Sequence, residues 1–229
     1  MSKRIVIAID GPAGAGKSTV AKAVASRLSF IYIDTGAMYR AVALWAARTG
    51  VAETDVHKLE QLAREASVSF QAGTQHVFLN GEDVTAAIRT PEVSALASRV
   101  SAVPGVRRAL VEKQRELAGE TSVVMEGRDI GTVVFPDADI KVFLDAPTDI
   151  RASRRTRELA ERGETVDGAR TAQEIAERDG RDRTRSEAPL VQAPDAVYID
   201  SASLTIPEVV ETILKVVRDR TTNGKEYSR

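Results

Sequence analysis

Apolar residues follow two rhythms along this chain. Near-continuous apolar runs occur at Arg4 to Ile9, Phe30 to Asp34, Val123 to Glu126, Ile140 to Asp145 and Ala196 to Asp200. Uninterrupted runs of this length predict strands buried on both faces of a parallel sheet. Between them the spacing lengthens to three and four. Val20, Ala21, Val24 and Leu28 share a helical face, and helical patterns run from Ala37 to about Thr49, Asp55 to Ala66, Val106 to Leu117 and Thr148 to about Glu161, where Gly163 ends the last. Ile206, Val209, Val210, Ile213, Leu214 and Val217 form the stripe of a final helix. Strands alternating with helices predict an α/β fold with a five-stranded doubly wound parallel sheet.

The rhythm breaks once. Val68-Ser69-Phe70 and Val77-Phe78-Leu79 are short strand patterns, and Asn80-Gly81 behind them signals a tight turn. Thr90-Pro91 opens a helix, with Thr as N-cap and Pro in the first helical position; Pro104-Gly105 breaks it. Residues from about 68 to 103 therefore read as an antiparallel and helical insertion. Thr171-Ala172-Gln173-Glu174 and Thr205-Ile206-Pro207-Glu208 are capping boxes, predicted to start the next two helices. The tail from Thr221 is polar and expected to fray.

The chain has 229 residues, and a net charge of −1 offers no global field for nucleic acid or anionic membrane. Cysteine is absent, which excludes disulfides and thiolate metal sites. His57 and His76 lack ligand spacing and read as surface residues. The first apolar run, ending at Asp10, is too short for a signal peptide or a membrane span. A cytoplasmic monomer is expected.

Chemistry enters between the first strand and the first helix. Gly11-Pro12-Ala13-Gly14-Ala15-Gly16-Lys17-Ser18 fits G-x-x-x-x-G-K-[ST], with Thr19 following. Strand, glycine loop and helix together make a phosphate cradle, in which backbone N–H groups converge on an anion at a helix N-terminus. Lys17 is expected to point from a solvated loop toward the outer phosphates of a nucleoside triphosphate, and the Ser18 hydroxyl toward Mg²⁺. The second substrate is read from arginines. Asp34 with Arg40, and Arg128 with Asp129, follow strand ends, where open α/β sheets bind ligands. Between Lys141 and Lys215 every basic residue is arginine, whose planar fork matches phosphate oxygens in pairs. Scattered members such as Arg162 and Arg170 read as solvated helix residues. An arginine-rich site suits an anionic acceptor, and a monophosphate needs no general base because its oxygen is already a nucleophile.

The loop Asp34-Thr35-Gly36-Ala37-Met38-Tyr39-Arg40, the run Glu126-Gly127-Arg128-Asp129-Ile130-Gly131-Thr132-Val133-Val134-Phe135-Pro136-Asp137-Ala138 and the run Glu177 to Arg183 together resemble the bacterial cytidylate kinase family, over about residues 4 to 218. The resemblance implies transfer of the ATP γ-phosphate to CMP or dCMP. It implies that Arg40 and Arg128 grip the acceptor phosphate, beside Asp34, Thr35 and Tyr39, and that Ser98, Arg107 and Asp129 read cytosine. The chemistry of the base agrees: its exocyclic amino group suits a carboxylate, and its O2 and N3 suit an arginine or a hydroxyl. Arg178 and Asp182 are implied at the ribose or the phosphates. A lid from about 150 to 187 is implied, with Arg154, Arg155, Arg178 and Arg185 closing over the phosphates to exclude water.

Alternatives stay open at four positions. Ser98 is otherwise an ordinary helix residue, and Asp182 a partner neutralising Arg178 and Arg185. Arg151 either stacks on adenine or is solvated. Asp34 either holds a Mg²⁺-bound water or only orients Arg40. At the level of function, the runners-up are a kinase for UMP, AMP or a hydroxyl-bearing metabolite, and a nucleotide-gated switch. A guanine switch would carry Asn-Lys-x-Asp, and neither Asn80 nor Asn223 sits in one.

Overall fold

The computed structural model describes residues 4–71, 74, 76–119, 121–161, 163 and 166–223. Its chain divides into two compact units, one of residues 1–32 with 120–229 and one of residues 33–119.

The first unit carries the parallel sheet. Strands β1 (Val6–Asp10), β2 (Ile31–Asp34), β6 (Val123–Gly127), β7 (Ile140–Asp145) and β8 (Val197–Asp200) lie in the order β2-β6-β1-β7-β8. β1 runs parallel to both β6 and β7, pairing Asp10 with Gly127 and with Phe143. This register brings the C-terminal ends of β1 and β6 level, so the turns that leave them are neighbours. Every residue of β1 and β6 is buried, as their unbroken apolar runs require. Ile7, Ile9, Val142 and Leu144 form one core with Val20 and Val24 of helix α1 (Lys17–Leu28) and with helix α8 (Ile206–Asn223). In α8 the expected stripe holds at Val209, Val210, Ile213, Leu214 and Val217; Ile206 is exposed, one turn too early to reach the core. Helices α6 (Thr148–Glu161) and α7 (Gly168–Thr184) pack against each other. Among the described residues no helix is long and apolar enough to cross a membrane.

The second unit holds α2 (Thr35–Arg48), α3 (Val56–Glu65), α4 (Pro91–Val100) and α5 (Pro104–Ala118), with an antiparallel sheet of β3 (Val68–Phe70), β4 (Val77–Leu79) and β5 (Glu82–Asp83). Asn80 and Gly81 both take positive φ, 50° and 85°, which is the turn geometry their sequence predicts. β5 escapes an apolar pattern because it has two charged, exposed residues. A separate core gathers Met38, Leu59, Ile88 and Leu110.

Caps correct one expectation. The Thr205 box is present: the Thr205 N–H donates to Glu208 at 2.7 Å, and the Glu208 N–H to the Thr205 hydroxyl at 3.4 Å. The Thr171 box is not a helix start. α7 begins a turn earlier, capped by Asp167, which accepts from the Ala169 and Arg170 N–H groups, while the Thr171 hydroxyl donates back to the Asp167 carbonyl at 2.9 Å. Aspartate is the better N-cap, and it stands four residues nearer the preceding loop. Pro104 opens α5 in its first turn, where it lacks no needed donor. Both histidines are exposed, as expected. α8 continues through Asn223; the rest of the tail and Arg162 lie outside the described residues.

Candidate active site

The glycine loop leaves β1 at Asp10 and enters α1 at Lys17. At Gly11 (φ 150°) an added Cβ would stand 1.9 Å from the Leu144 carbonyl oxygen, so no larger residue fits. Gly16 takes φ 91° as the residue before the helix. Two carbonyls of the loop are held from the protein side. Arg151 donates to Ala13 O at 2.9 Å, and the Ser201 hydroxyl donates to Ala15 O at 3.1 Å. In a planar trans peptide the N–H points opposite to the C=O. The Gly14 and Gly16 amides are thus turned away from those donors, toward the other face of the loop. Ser18 and Thr19 are exposed at the first turn of α1.

Lys17 does not stand in solvent. It is 5% exposed, and its ammonium donates to the Pro12 carbonyl at 2.7 Å. Burial lowers it to about 7, with Arg128 and Arg178 pushing the same way and Glu126 and Asp10 opposing. The correction has a plain cause: the side chain folds back to its own loop, where the Pro12 carbonyl receives the ammonium.

Arg128 follows β6 and donates to the Asp182 carboxylate at 3.0 Å and to the Gly127 carbonyl at 3.1 Å. Arg185 lies 3.7 Å from Asp129 and 3.6 Å from Asp182. Burial works to raise the Asp182 carboxyl, but Arg128, Arg178 and Arg185 outweigh it and hold the group below its ordinary value. Residues far apart in sequence, just after β6 and at the end of α7, thus meet in one cluster of guanidinium and carboxylate groups.

Arg151 is not solvated. At 3% exposed it donates to Ala146 O at 2.7 Å and Thr148 Oγ1 at 2.9 Å, and pairs with Asp179 at 2.6 Å, besides holding Ala13. Arg154 is engaged by Ser201, at 2.9 Å to its hydroxyl and 2.6 Å to its carbonyl, and Arg155 pairs with Glu158 one turn on. Arg151→Met is expected to lower stability by about 3–5 kcal/mol, because Asp179 is left charged and buried. At a few degrees per kcal/mol for a chain of this size, that is a fall of about 10 °C in a thermal melt. A melt unchanged within about 2 °C would remove Arg151 from this bracing role.

In the second unit Asp34 caps α2. It accepts from the Ala37 N–H at 3.0 Å and from Arg40 at 2.8 Å. Burial opposes the charge on Asp34, but Arg40, the Ala37 N–H and Arg89 win, and the carboxyl lies below its usual range. Asp34 and Arg40 are thus held as a pair at the start of α2. Gly36 leaves room for the pair, since a Cβ there would meet Arg40 at 3.0 Å. Thr35 is buried beside it in the first turn of α2. Arg107 of α5 donates to Ser101 O at 3.2 Å and lies 5.4 Å over the Tyr39 ring. Ser98 is buried in α4, and its carbonyl accepts from the Ser101 hydroxyl.

Two carboxylates escaped the motif reading. Asp10 and Glu126 are both buried. Asp10 accepts from the Ile130 and Gly131 N–H groups, and Glu126 accepts from the Tyr32 hydroxyl. The sequence carries a signal for them: each is an acidic residue at the end of an otherwise apolar strand.

The family model described as cytidylate kinase matches residues 7–219. The chain is 62% identical over 228 residues to the cytidylate kinase of Solibacter usitatus (strain Ellin6076), covering 99% of this chain and 97% of that protein. It is 56% identical over 211 residues to that of Pelotomaculum thermopropionicum (91% and 93% covered), and 50% over 222 residues to that of Geobacter sp. strain M21 (96% and 95%). Among solved structures, a gluconokinase from Sinorhizobium meliloti 1021 aligns over 100% of both chains, with a TM-score of 0.53 and 15% identity, a likeness of fold alone.

Proposed function

Because the chain belongs to the cytidylate kinase family, it is a phosphotransferase that uses ATP and acts on CMP or dCMP, and we propose how its own residues divide that work. The glycine loop from Gly11 to Thr19 holds the ATP phosphates on its amides, with Lys17 on the outer ones. Arg128, Arg178 and Arg185 in the first unit, and Arg40 in the second, take the phosphates of donor and acceptor. Asp129 accepts from the cytosine amino group, while Arg107 and Ser98 serve its acceptor edge, beside Thr35 and Tyr39. Asp182 keeps its arginines in register. The lid is α6 and α7, and Arg155 is the member of α6 whose surface pair with Glu158 is weak enough to exchange for a phosphate.

Mg²⁺ fits this arrangement. Ser18 offers an exposed hydroxyl at the first turn of α1, and Mg²⁺ takes few protein ligands when phosphates and water complete its shell. When bound with ATP it screens the phosphate charges. Asp34 would reach it only through water, its carboxylate being engaged already by Arg40 and Ala37. A cytoplasmic monomer remains the reading for location and assembly, with no nucleic-acid partner, in keeping with the near-neutral charge.

The observation that carries the acceptor assignment is the cluster of Arg128 and Arg185 around Asp182 and Asp129. A hydroxyl acceptor needs a base, and Asp182, held below its ordinary value by arginines, is a poor one. A phosphate acceptor needs only cations.

Initial rates with CMP, dCMP, UMP and AMP test the assignment. CMP or dCMP is expected to lead UMP and AMP by at least about tenfold in kcat/KM. UMP or AMP ahead by that margin would overturn it. Asp129→Asn is expected to shrink the CMP/UMP ratio by about tenfold, since an amide can serve either pyrimidine edge. An unchanged ratio removes Asp129 from base reading.

A further inference from the structure

Asp10 ends β1, directly before the glycine loop, and its side chain turns sideways to the chain that leaves β6. Its two carboxylate oxygens accept separately, Oδ1 from the Ile130 N–H at 2.8 Å and Oδ2 from the Gly131 N–H at 2.7 Å. Those amides open the π-helical turn Ile130–Val134, in which Val134 donates to Asp129 O at 3.2 Å and Phe135 to Ile130 O at 2.7 Å. The first N–H groups of any helical turn lack partners within it. Here a residue 120 positions away in sequence supplies both acceptors.

The turn begins immediately after Arg128 and Asp129, so its placement sets where those two side chains emerge. Asp10 is 5% exposed, and burying a carboxylate so deeply is costly. The two donors hold it down against burial, which alone would drive it up; the net result lies at about 6, with Asp129 adding repulsion and Lys17 attraction.

We infer that Asp10 is a positioning residue for the acceptor side of the reaction: it holds the Arg128-Asp129 turn in place against the strand that starts the ATP loop, through two hydrogen bonds, one to each carboxylate oxygen. This deepens the proposed function and rests on the base-reading role given to Asp129.

Asp10→Asn is nearly isosteric but offers one acceptor. Its amide group would face the second N–H donor to donor. The expected result is a KM for CMP raised about tenfold, with a KM for ATP within about threefold of the parent. The CMP/UMP ratio should fall toward that of Asp129→Asn, and the double variant should fall no further than Asp129→Asn alone. A merely structural loss would depress both substrates and leave the ratio unmoved. Should Asp10→Asn fail to fold, Gly131→Ala decides the matter with the carboxylate intact. Its Cβ would crowd Lys141 Cδ at 3.1 Å and meet Asp10 Oδ2 at 3.4 Å, perturbing the turn at the same amide, and the same CMP-side change is expected at smaller size. If Asp129→Asn loses cytosine preference while Asp10→Asn keeps it, the inference on Asp10 is overturned alone. If Asp129→Asn keeps it too, the base-reading assignment falls and takes this one with it.

Discussion

Lys17→Met is expected to give a folded protein whose kcat is down by at least about a thousandfold, a loss of roughly 4 kcal/mol of transition-state stabilisation. Methionine keeps the buried stem and removes only the charge. In the free protein that charge is poorly accommodated: burial, with Arg128 and Arg178 near, lowers the ammonium from its ordinary 10.5 to about 7. ATP phosphates reverse the balance, because each adds an anion where the protein supplies mostly cations. ATP binding at pH 8 is therefore expected to draw a proton onto Lys17. Above pH 7.5 the γ-phosphate is already ionised, its second pKa being near 6. Affinity for a non-hydrolysable ATP analogue should then fall by up to about tenfold per pH unit from about pH 7 upward. Calorimetric titration in two buffers of different ionisation enthalpy reads the proton uptake directly. A pH-independent affinity in the parent, or the same slope in Lys17→Met, would show that Lys17 is not the group.

The same shift appears in stability. Between about 7 and 10.5 the unfolded chain carries the Lys17 proton and the folded chain does not. The unfolded state binds more protons there, so the Lys17 contribution makes the ligand-free fold more stable as pH rises through that window. In Lys17→Met this climb is absent.

Arg128→Ala is the second large effect. Arg128 presents its guanidinium from the end of β6 and pairs with Asp182, a residue that also has Arg185 at 3.6 Å. The fold is expected to stand. The KM for CMP should rise by about a hundredfold or more, consistent with losing a charge-assisted phosphate contact, while the KM for ATP changes by less than about threefold. Arg128→Lys should recover only part, since an ammonium cannot make the paired contact. Equal damage to both substrates would count against Arg128 as an acceptor ligand. Because Arg128 is also among the groups that lower Lys17, its removal should shift the pH break in ATP affinity upward.

Most of the framework is legible in the order of residues along the chain. The five apolar runs form the five strands, and the Asn80-Gly81 turn, the Thr90 cap and the Thr205 box all take their expected geometry. Each depends on residues within a few positions of one another. The misreadings share an origin. Thr171 matches a capping pattern but loses to Asp167, which has the better side chain one turn earlier. Ile206 keeps the helical period yet misses the core. Lys17 and Arg151 look like solvent-seeking side chains and are buried, because acceptors meet them there: the Pro12 carbonyl for Lys17, and Ala13 O and Asp179 from distant segments for Arg151.

By itself the sequence determined the strand–loop–helix cradle, the alternation that builds the sheet, and the motifs by which the family is known, since periodicity, caps and glycine turns act locally. Only the tertiary structure decided which charges share a site. Asp10 reaching the Gly131 amide, Arg151 reaching Ala13, and Arg128, Asp129, Asp182 and Arg185 gathering together are contacts across strand register and helix packing. Electrostatic interaction in a buried setting depends on distance and on the water removed, and neither quantity is written in the spacing of residues along a chain.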